Sequence, residues 1–181
     1  MDVCIQLAEG FEEIEAISII DVLRRADINI TIVSMEDKIM VKGAHRIEIK
    51  ADKLFEAVNY DYIDMIILPG GMPGAKNLGE HIGLRKKIKS FVQKDKYLAA
   101  ICAAPMVYGK MGLLINHNAI SYPGFEKFLE GATIVDEKVV QSGKIITSKG
   151  PGTSLYFALK LVEIIKGKDI ASEIKKAMLI E

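Results

Sequence analysis

The sequence predicts an α/β sandwich, a mostly parallel sheet with helices on both faces. Three observations carry that expectation. Short apolar runs, such as Val3–Leu7 and Tyr97–Ile101, alternate with longer amphipathic stretches. The apolar runs lack the polar alternation of a sheet with one wet face, so both faces are covered. The turns between them are short, and strand–helix–strand repetition joined by short turns favours parallel pairing.

Along the chain, Val3–Leu7 reads as a buried strand and residues 12–26 as the first helix, with Ile14, Ile17, Val22 and Ala26 near one face. Residues 28–35, rich in β-branched side chains, give a second strand, and 45–50 alternate enough for a half-exposed one. A short helix is expected over 52–58, a strand over Met65–Leu68, and one helix over 77–94 with Leu84, Ile88 and Phe91 inward. Tyr97–Ile101 is the next strand, followed by a helix over 103–111 and a turn or two over 125–129. Lesser strands are expected over 133–135 and 139–141, and a fuller one over 144–148. Ser154–Lys166 is a helix with Thr153 or Ser154 as N-cap and Gly167 just past its end, and 170–177 is the last helix.

The 181 residues suit one domain spanning 1–181, and 50% hydrophobic content supplies a core. Lys+Arg and Asp+Glu both number 24, which excludes the basic excess of a general nucleic-acid binder. Two cysteines are too few for a disulfide scaffold, and a reducing, cytoplasmic setting is the expectation. No signal-peptide pattern opens the chain, and no apolar run approaches the roughly 20 residues of a membrane helix.

In parallel sheets, ligands sit beyond the carboxyl ends of the strands. The loops there are 8–12, 69–75, 102–105 and 149–153. Cys102 ends an apolar strand directly before a helix, a turn that projects its side chain above the sheet. Placement at a helix N-terminus predicts a lowered thiol pKa and a nucleophile. The competing reading is a small packing residue, since free cysteine is often buried. Glu12 and Glu13 are explained by the helix dipole alone. Glu15, beside Ile14 and Ala16, is expected to point inward with a raised pKa and to move protons. Gly70 and Gly71 let backbone amides approach a ligand, and with the Ala103 amide they can form an oxyanion hole; a plain tight turn is the alternative. Residues 148–154 form a rigid turn into a helix, readable as an anion site or as a cap. Neither a G-x-G-x-x-G nor a P-loop motif occurs. His45, His81 and His117 show no metal-ligand spacing; His81 reads as solvated, His117 as a loop residue and Cys4 as core packing.

Taken together, Leu7-Ala-Glu-Gly-Phe-Glu-Glu-Ile-Glu15, Ile67-Leu-Pro-Gly-Gly71, Ala99-Ala-Ile-Cys-Ala-Ala-Pro105 and Thr147-Ser-Lys-Gly-Pro-Gly-Thr-Ser154 closely resemble the ThiJ/PfpI family, in the branch of the parkinsonism-associated protein deglycase. The resemblance runs nearly end to end. It implies a flavodoxin-like three-layer sandwich with a cysteine at a strand-to-helix nucleophile elbow. It implies that Cys102 is the reactive thiol, that Glu15 is its hydrogen-bonding carboxyl, and that the Gly71 and Ala103 amides form the oxyanion hole. Gly70, His45, Tyr122, Lys149, Gly150 and Pro151 are the expected pocket rim. Members act without cofactor or metal on small reactive carbonyls such as glyoxal and methylglyoxal or on glycated groups, as glyoxalases or deglycases. They are also described as oxidation sensors and chaperones, and are usually homodimers. Two departures stand out. Tyr122 replaces a histidine found in some members, and Ala103 replaces the histidine that follows the cysteine in the protease-like branch. A peptidase or amidase is therefore the weakest expectation. Where other members carry arginines, this chain has His45 and Lys149, a cationic rim of different strength. A role in thiamine biosynthesis, suggested by the family's name, finds no support in these residues.

Overall fold

The structure, a computed structural model, describes residues 1–181. Strand β1 (Val3–Leu7) leads through α1 (Glu13–Arg25) to β2 (Ile30–Ser34). A small hairpin, β3 (Met40–Lys42) and β4 (Glu48–Lys50), precedes β5 (Lys53–Leu54). Then come β6 (Met65–Leu68), α2 (Gly74–Glu80), α3 (Ile82–Gln93), β7 (Tyr97–Ile101) and α4 (Pro105–Lys110). The short pair β8 (Asn118–Ala119) and β9 (Thr133–Ile134) is followed by β10 (Val139–Ser142), β11 (Ile145–Ser148), α5 (Ser154–Lys166) and α6 (Lys168–Ala177).

The main sheet has seven strands in the order β10-β11-β7-β6-β1-β2-β5. Only the β10–β11 pair is antiparallel. The continuous apolar strands explain this, because β1, β6 and β7 are buried nearly throughout and suit only a sheet covered on both sides. Helix α1 packs along α5, and α5 on α6, while α2 meets α3 and α4. Right-handed crossovers place these two groups on opposite faces. The chain winds outward one way from β1 to β2 and the other way from β6 to β7, so the sheet reverses direction between β1 and β6. At such a switch point the loops part and leave a crevice.

Several expectations are corrected. The expected strand over 28–35 shortens to Ile30–Ser34, and the one over 45–50 to Glu48–Lys50, paired with an unforeseen partner, Met40–Lys42. The expected helix over 52–58 is β5 plus a 3-10 turn, because Asp52 ties this segment to β2 through the Ile32 amide. The single helix expected over 77–94 is two. His81 separates them: its Nδ1 accepts the Leu84 N–H at 3.0 Å and caps α3, and its ring packs on Phe55 with centroids 4.6 Å apart. His81 is therefore a structural cap, not a solvated residue. On α1 the inward face is Glu15, Ala16, Ile19, Ile20, Val22 and Leu23, whereas Ile14 and Ile17 are exposed. The helix is rotated because Glu15 turns toward the strand ends.

Candidate active site

Three of the inspected loops converge at the crevice. Cys102 follows β7 directly and adopts φ +65°, the left-handed region that a side-chain-bearing residue enters only when its surroundings hold it there. Here they do. The Cys102 N–H donates to the Ser148 carbonyl at 2.9 Å, and its own carbonyl accepts the Tyr122 N–H at 2.8 Å. Cys102 is 8% exposed.

Glu15 reaches the same point from α1. Glu12 caps that helix by accepting the Glu15 N–H at 2.7 Å, while the Glu12 N–H donates to the Gly70 carbonyl at 2.9 Å. The Gly70 N–H in turn donates to Glu15 Oε2 at 2.7 Å. The glycine is required by close approach. A Cβ at Gly70 would lie 2.5 Å from Cys102 Cβ, 2.8 Å from Glu15 Oε2 and 3.0 Å from Cys102 Sγ. Gly71 has φ +87°, and its amide and that of Ala103 face the Cys102 sulfur; neither donates to another backbone carbonyl.

The electrostatics differ from the expected helix-lowered thiol. Burial pushes the Cys102 thiol up, and the Glu15 charge adds to it; the Gly71 and Ala103 amides pull the other way and do not prevail. Helix α4 has only six residues and starts three positions after the cysteine, so its dipole is weak here. Burial also raises Glu15 to about 7, despite the opposing bonds from Cys102 and Gly70. Once Glu15 holds a proton, its charge no longer opposes the thiolate. Near neutrality it is therefore the carboxyl that gains and loses a proton, while the buried thiol holds its own. Glu15 Oε1 is buried and has no hydrogen-bond partner.

The rim residues divide. Gly70 lies between thiol and carboxyl. Tyr122, Gly150 and Pro151 line a cavity of about 260 Å³ with Pro123, Lys149, Gly152 and Thr153. Lys149 Nζ contacts Asp136 Oδ1 at 2.6 Å, and His45 Nδ1 contacts Glu13 Oε2 at 2.7 Å. Lys149 is therefore paired with a carboxylate and the His45 ring is tied to Glu13, and the expected cationic rim is largely neutralised. Cys4 is fully buried in β1, where Gln6 Nε2 donates to its sulfur at 3.0 Å and burial pushes its thiol up.

Two residues read as plain helix-start charge are more specific. Glu12 and Glu13 are both buried. The Glu13 carboxylate accepts the His45 N–H at 2.6 Å and the Ile47 N–H at 3.4 Å, clasping the β3–β4 turn. No local pattern marks this, since the partners lie 32 and 34 residues away. Ligand atoms of Glu12, Glu13 and His45 also lie within 4.8 Å of one another. These are the residues nearest to a cation-holding arrangement, but their oxygens are engaged in the cap and the clasp.

The DJ-1/PfpI family pattern matches residues 1–164. The chain belongs to the DJ-1/PfpI family. Among its relatives, DJ-1 homolog B of Arabidopsis thaliana is 41% identical over 95% of this chain, which spans only 40% of that protein. The glutathione-independent glyoxalase DJR-1.2 of Caenorhabditis elegans is 34% identical, over 94% of this chain and 91% of the worm protein. The solved structure of oxidized Toxoplasma gondii DJ-1 superposes with a TM-score of 0.94 at 39% identity, covering 98% of this chain and 97% of the other. The DJ-1/PfpI fold is thereby shared over almost the whole chain.

Proposed function

We propose that this DJ-1/PfpI member is a cofactor-independent cysteine enzyme converting small 2-oxoaldehydes, such as methylglyoxal, to 2-hydroxy acids. The observation that carries this reading is the convergence of one thiol, one carboxyl raised to about 7 and two backbone amides on one buried point. The worm relative's glyoxalase name supports it.

In the first step the Cys102 sulfur bonds to the aldehyde carbon. The carbonyl π pair moves to oxygen, which the Gly71 and Ala103 amides stabilise, and the thiol proton neutralises that oxygen to give a hemithioacetal. Glu15, as carboxylate, then removes the proton from the former aldehyde carbon. The electron pair forms an enediolate, the hydroxyl proton on the sulfur-bearing carbon passes to the former ketone oxygen, and Glu15 returns its proton to the adjacent carbon, leaving a thioester of the hydroxy acid. Water adds to the thioester carbon, the C–S bond breaks, and the thiol is regenerated. The substrate gains one water overall, and no external oxidant or reductant takes part. A carboxyl near 7 suits both halves of the proton transfer. On a glycated amine or thiol, the Cys102 sulfur would displace that amine or thiol from the former aldehyde carbon, the leaving group taking the thiol proton, and the same steps would follow.

Lactate formation from methylglyoxal tests the proposal. Cys102→Ala is expected to abolish it, and Glu15→Gln to lower it by about 10²–10⁴-fold, the usual contribution of a positioned acid or base. Undiminished turnover in Cys102→Ala sinks the reading.

A second reading, an oxidation sensor, is favoured by one observation. The unpartnered Glu15 Oε1 is available to hydrogen-bond an oxygen added to the sulfur. Two peroxides would each pass one oxygen to Cys102 and leave as water, giving the sulfinic acid. Mass spectrometry after mild peroxide decides it: a sensor gains two oxygens at Cys102 with negligible carbonyl turnover. The free thiols of Cys4 and Cys102 fit a reducing, cytoplasmic setting. A homodimer is proposed from the exposed Ile14 and Ile17 on α1 and Ile47 beside the clasped turn.

A further inference from the structure

The neutral total charge of the chain hides an uneven distribution. Residues 82–94 contain Arg85, Lys86, Lys87, Lys89 and Lys94 and no acidic residue. They make up α3 and its C-cap, and Leu84, Ile88 and Phe91 form the buried side of that helix. At 3.6 residues per turn, Ile82, Arg85, Lys86, Lys89, Val92 and Gln93 fall on one stripe facing the other way. All six are exposed.

Arg85, Lys86 and Lys89 have no carboxylate partner, whereas nearby cations do: Lys76 pairs with Glu80, Lys94 with Asp61 and Lys144 with Asp95. Arg85 and Lys89 stand four residues apart, and Lys86 and Lys89 three, the spacings at which like charges repel along a helix. An anionic layer laid on the stripe relieves that repulsion. The stripe is not only charged. Ile82 is 70% exposed and Val92 45%, and they bracket the cations from the two ends, about 15 Å apart along the axis. A bare polyanion offers nothing to aliphatic side chains. A lipid headgroup layer meets both kinds, with phosphates for the cations and acyl carbons below them for the aliphatic groups.

We infer that the exposed face of α3 is a peripheral docking surface for an anionic lipid bilayer. No helix is long and apolar enough to cross a membrane, so the contact lies at the bilayer surface. It is weak and reversible, because each cation near such a surface contributes only about fivefold in partition and salt screens it. The docking face and the thiol site are different surfaces. Helix α3 packs over β7, whereas Cys102 stands at the carboxyl end of that strand.

Cosedimentation with vesicles tests this, comparing phosphatidylcholine alone with phosphatidylcholine mixed with phosphatidylglycerol. The wild type is expected to pellet only with the mixed vesicles and to be released in about 1 M salt. Lys86→Gln with Lys89→Gln is expected to lower the partition coefficient about 25-fold. Lys175→Gln with Lys176→Gln makes the same charge change at exposed positions on α6 and is expected to leave partition nearly unchanged. Ile82→Ser with Val92→Ser alters no charge and is expected to weaken binding about fivefold. All of these side chains are exposed, so loss of folding does not confound the comparison. A wild type that ignores the mixed vesicles overturns the inference. An equal loss in the α6 pair overturns it too, by reducing the effect to net charge. An Ile82 and Val92 pair without effect would make the partner a bare polyanion, such as a nucleic acid, and overturns the lipid assignment.

Discussion

At the residue scale, Glu15 sets the behaviour of the site. Its carboxyl is raised from the ordinary 4.5 to about 7, burial being the main cause. Between those values the folded chain binds a proton that the unfolded chain has lost, so Glu15 makes stability fall as pH rises from about 4.5 to 7 and level off above. The span corresponds to about 3 kcal/mol. Glu15→Gln removes this dependence, so the variant's advantage over wild type in chemical denaturation should grow across that window. A difference that is flat with pH would show the carboxyl to be ordinary. Because the proposed base must be ionised, kcat/KM should rise with pH through about 7 in the wild type. Gly70→Ala is the steric counterpart. Its Cβ meets the Cys102 Cβ at 2.5 Å, and it should cost about 1–3 kcal/mol together with most of the activity. Near-wild-type stability and turnover would mean that the loop yields freely.

At the element scale, the β3–β4 hairpin depends on α1 through Glu13. Burial pushes the Glu13 carboxyl up, but bonds from the His45 ring and from the His45 and Ile47 amides outweigh it and hold it below 4.5. The same contact raises His45 above 6.5. The signs are opposite. The Glu13 share of stability is present above 4.5 and lost as pH falls through its lowered value; the His45 share is present below 6.5 and lost as pH rises through its raised value. The clasp is therefore tightest between about 4.5 and 6.5. Glu13→Gln should cost about 1–3 kcal/mol and speed amide exchange at residues 43–47 above other loops. Unchanged exchange there would remove the clasp from the account. Local pattern made α5 legible to the residue, because an amphipathic run ends at Gly167 in the left-handed region. The break at His81 was not legible, since a histidine cap looks like any polar helix residue until Phe55 is packed against it.

At the scale of the whole molecule, the sheet was largely readable. Strands β6 and β7 are apolar for their full length and β1 is apolar but for Gln6, and that follows from burial on both faces. Cys102 and Glu15 were legible because each sits at a strand-to-helix boundary, where position implies direction. The clasp by Glu13 and the pairing of Lys149 with Asp136 were not, because they join segments whose proximity only the folded sheet creates. The exposed Ile14 and Ile17 belong to this scale too. Helical spacing suggested an inward face, and the structure turns both outward. If they meet a second copy, Ile14→Glu with Ile17→Glu should convert a dimer to a monomer in light scattering after size exclusion. A wild type that is itself monomeric would end that proposal.

The burial of Cys4 in β1 has a practical side. With its sulfur sealed beneath the sheet and only Cys102 near the surface, the native chain should present a single thiol to a small alkylating reagent, and two after denaturant. Counting labelled thiols across a denaturant series then becomes a folding assay that needs no engineered probe, with the folded state reporting on the Cys102 sulfur alone.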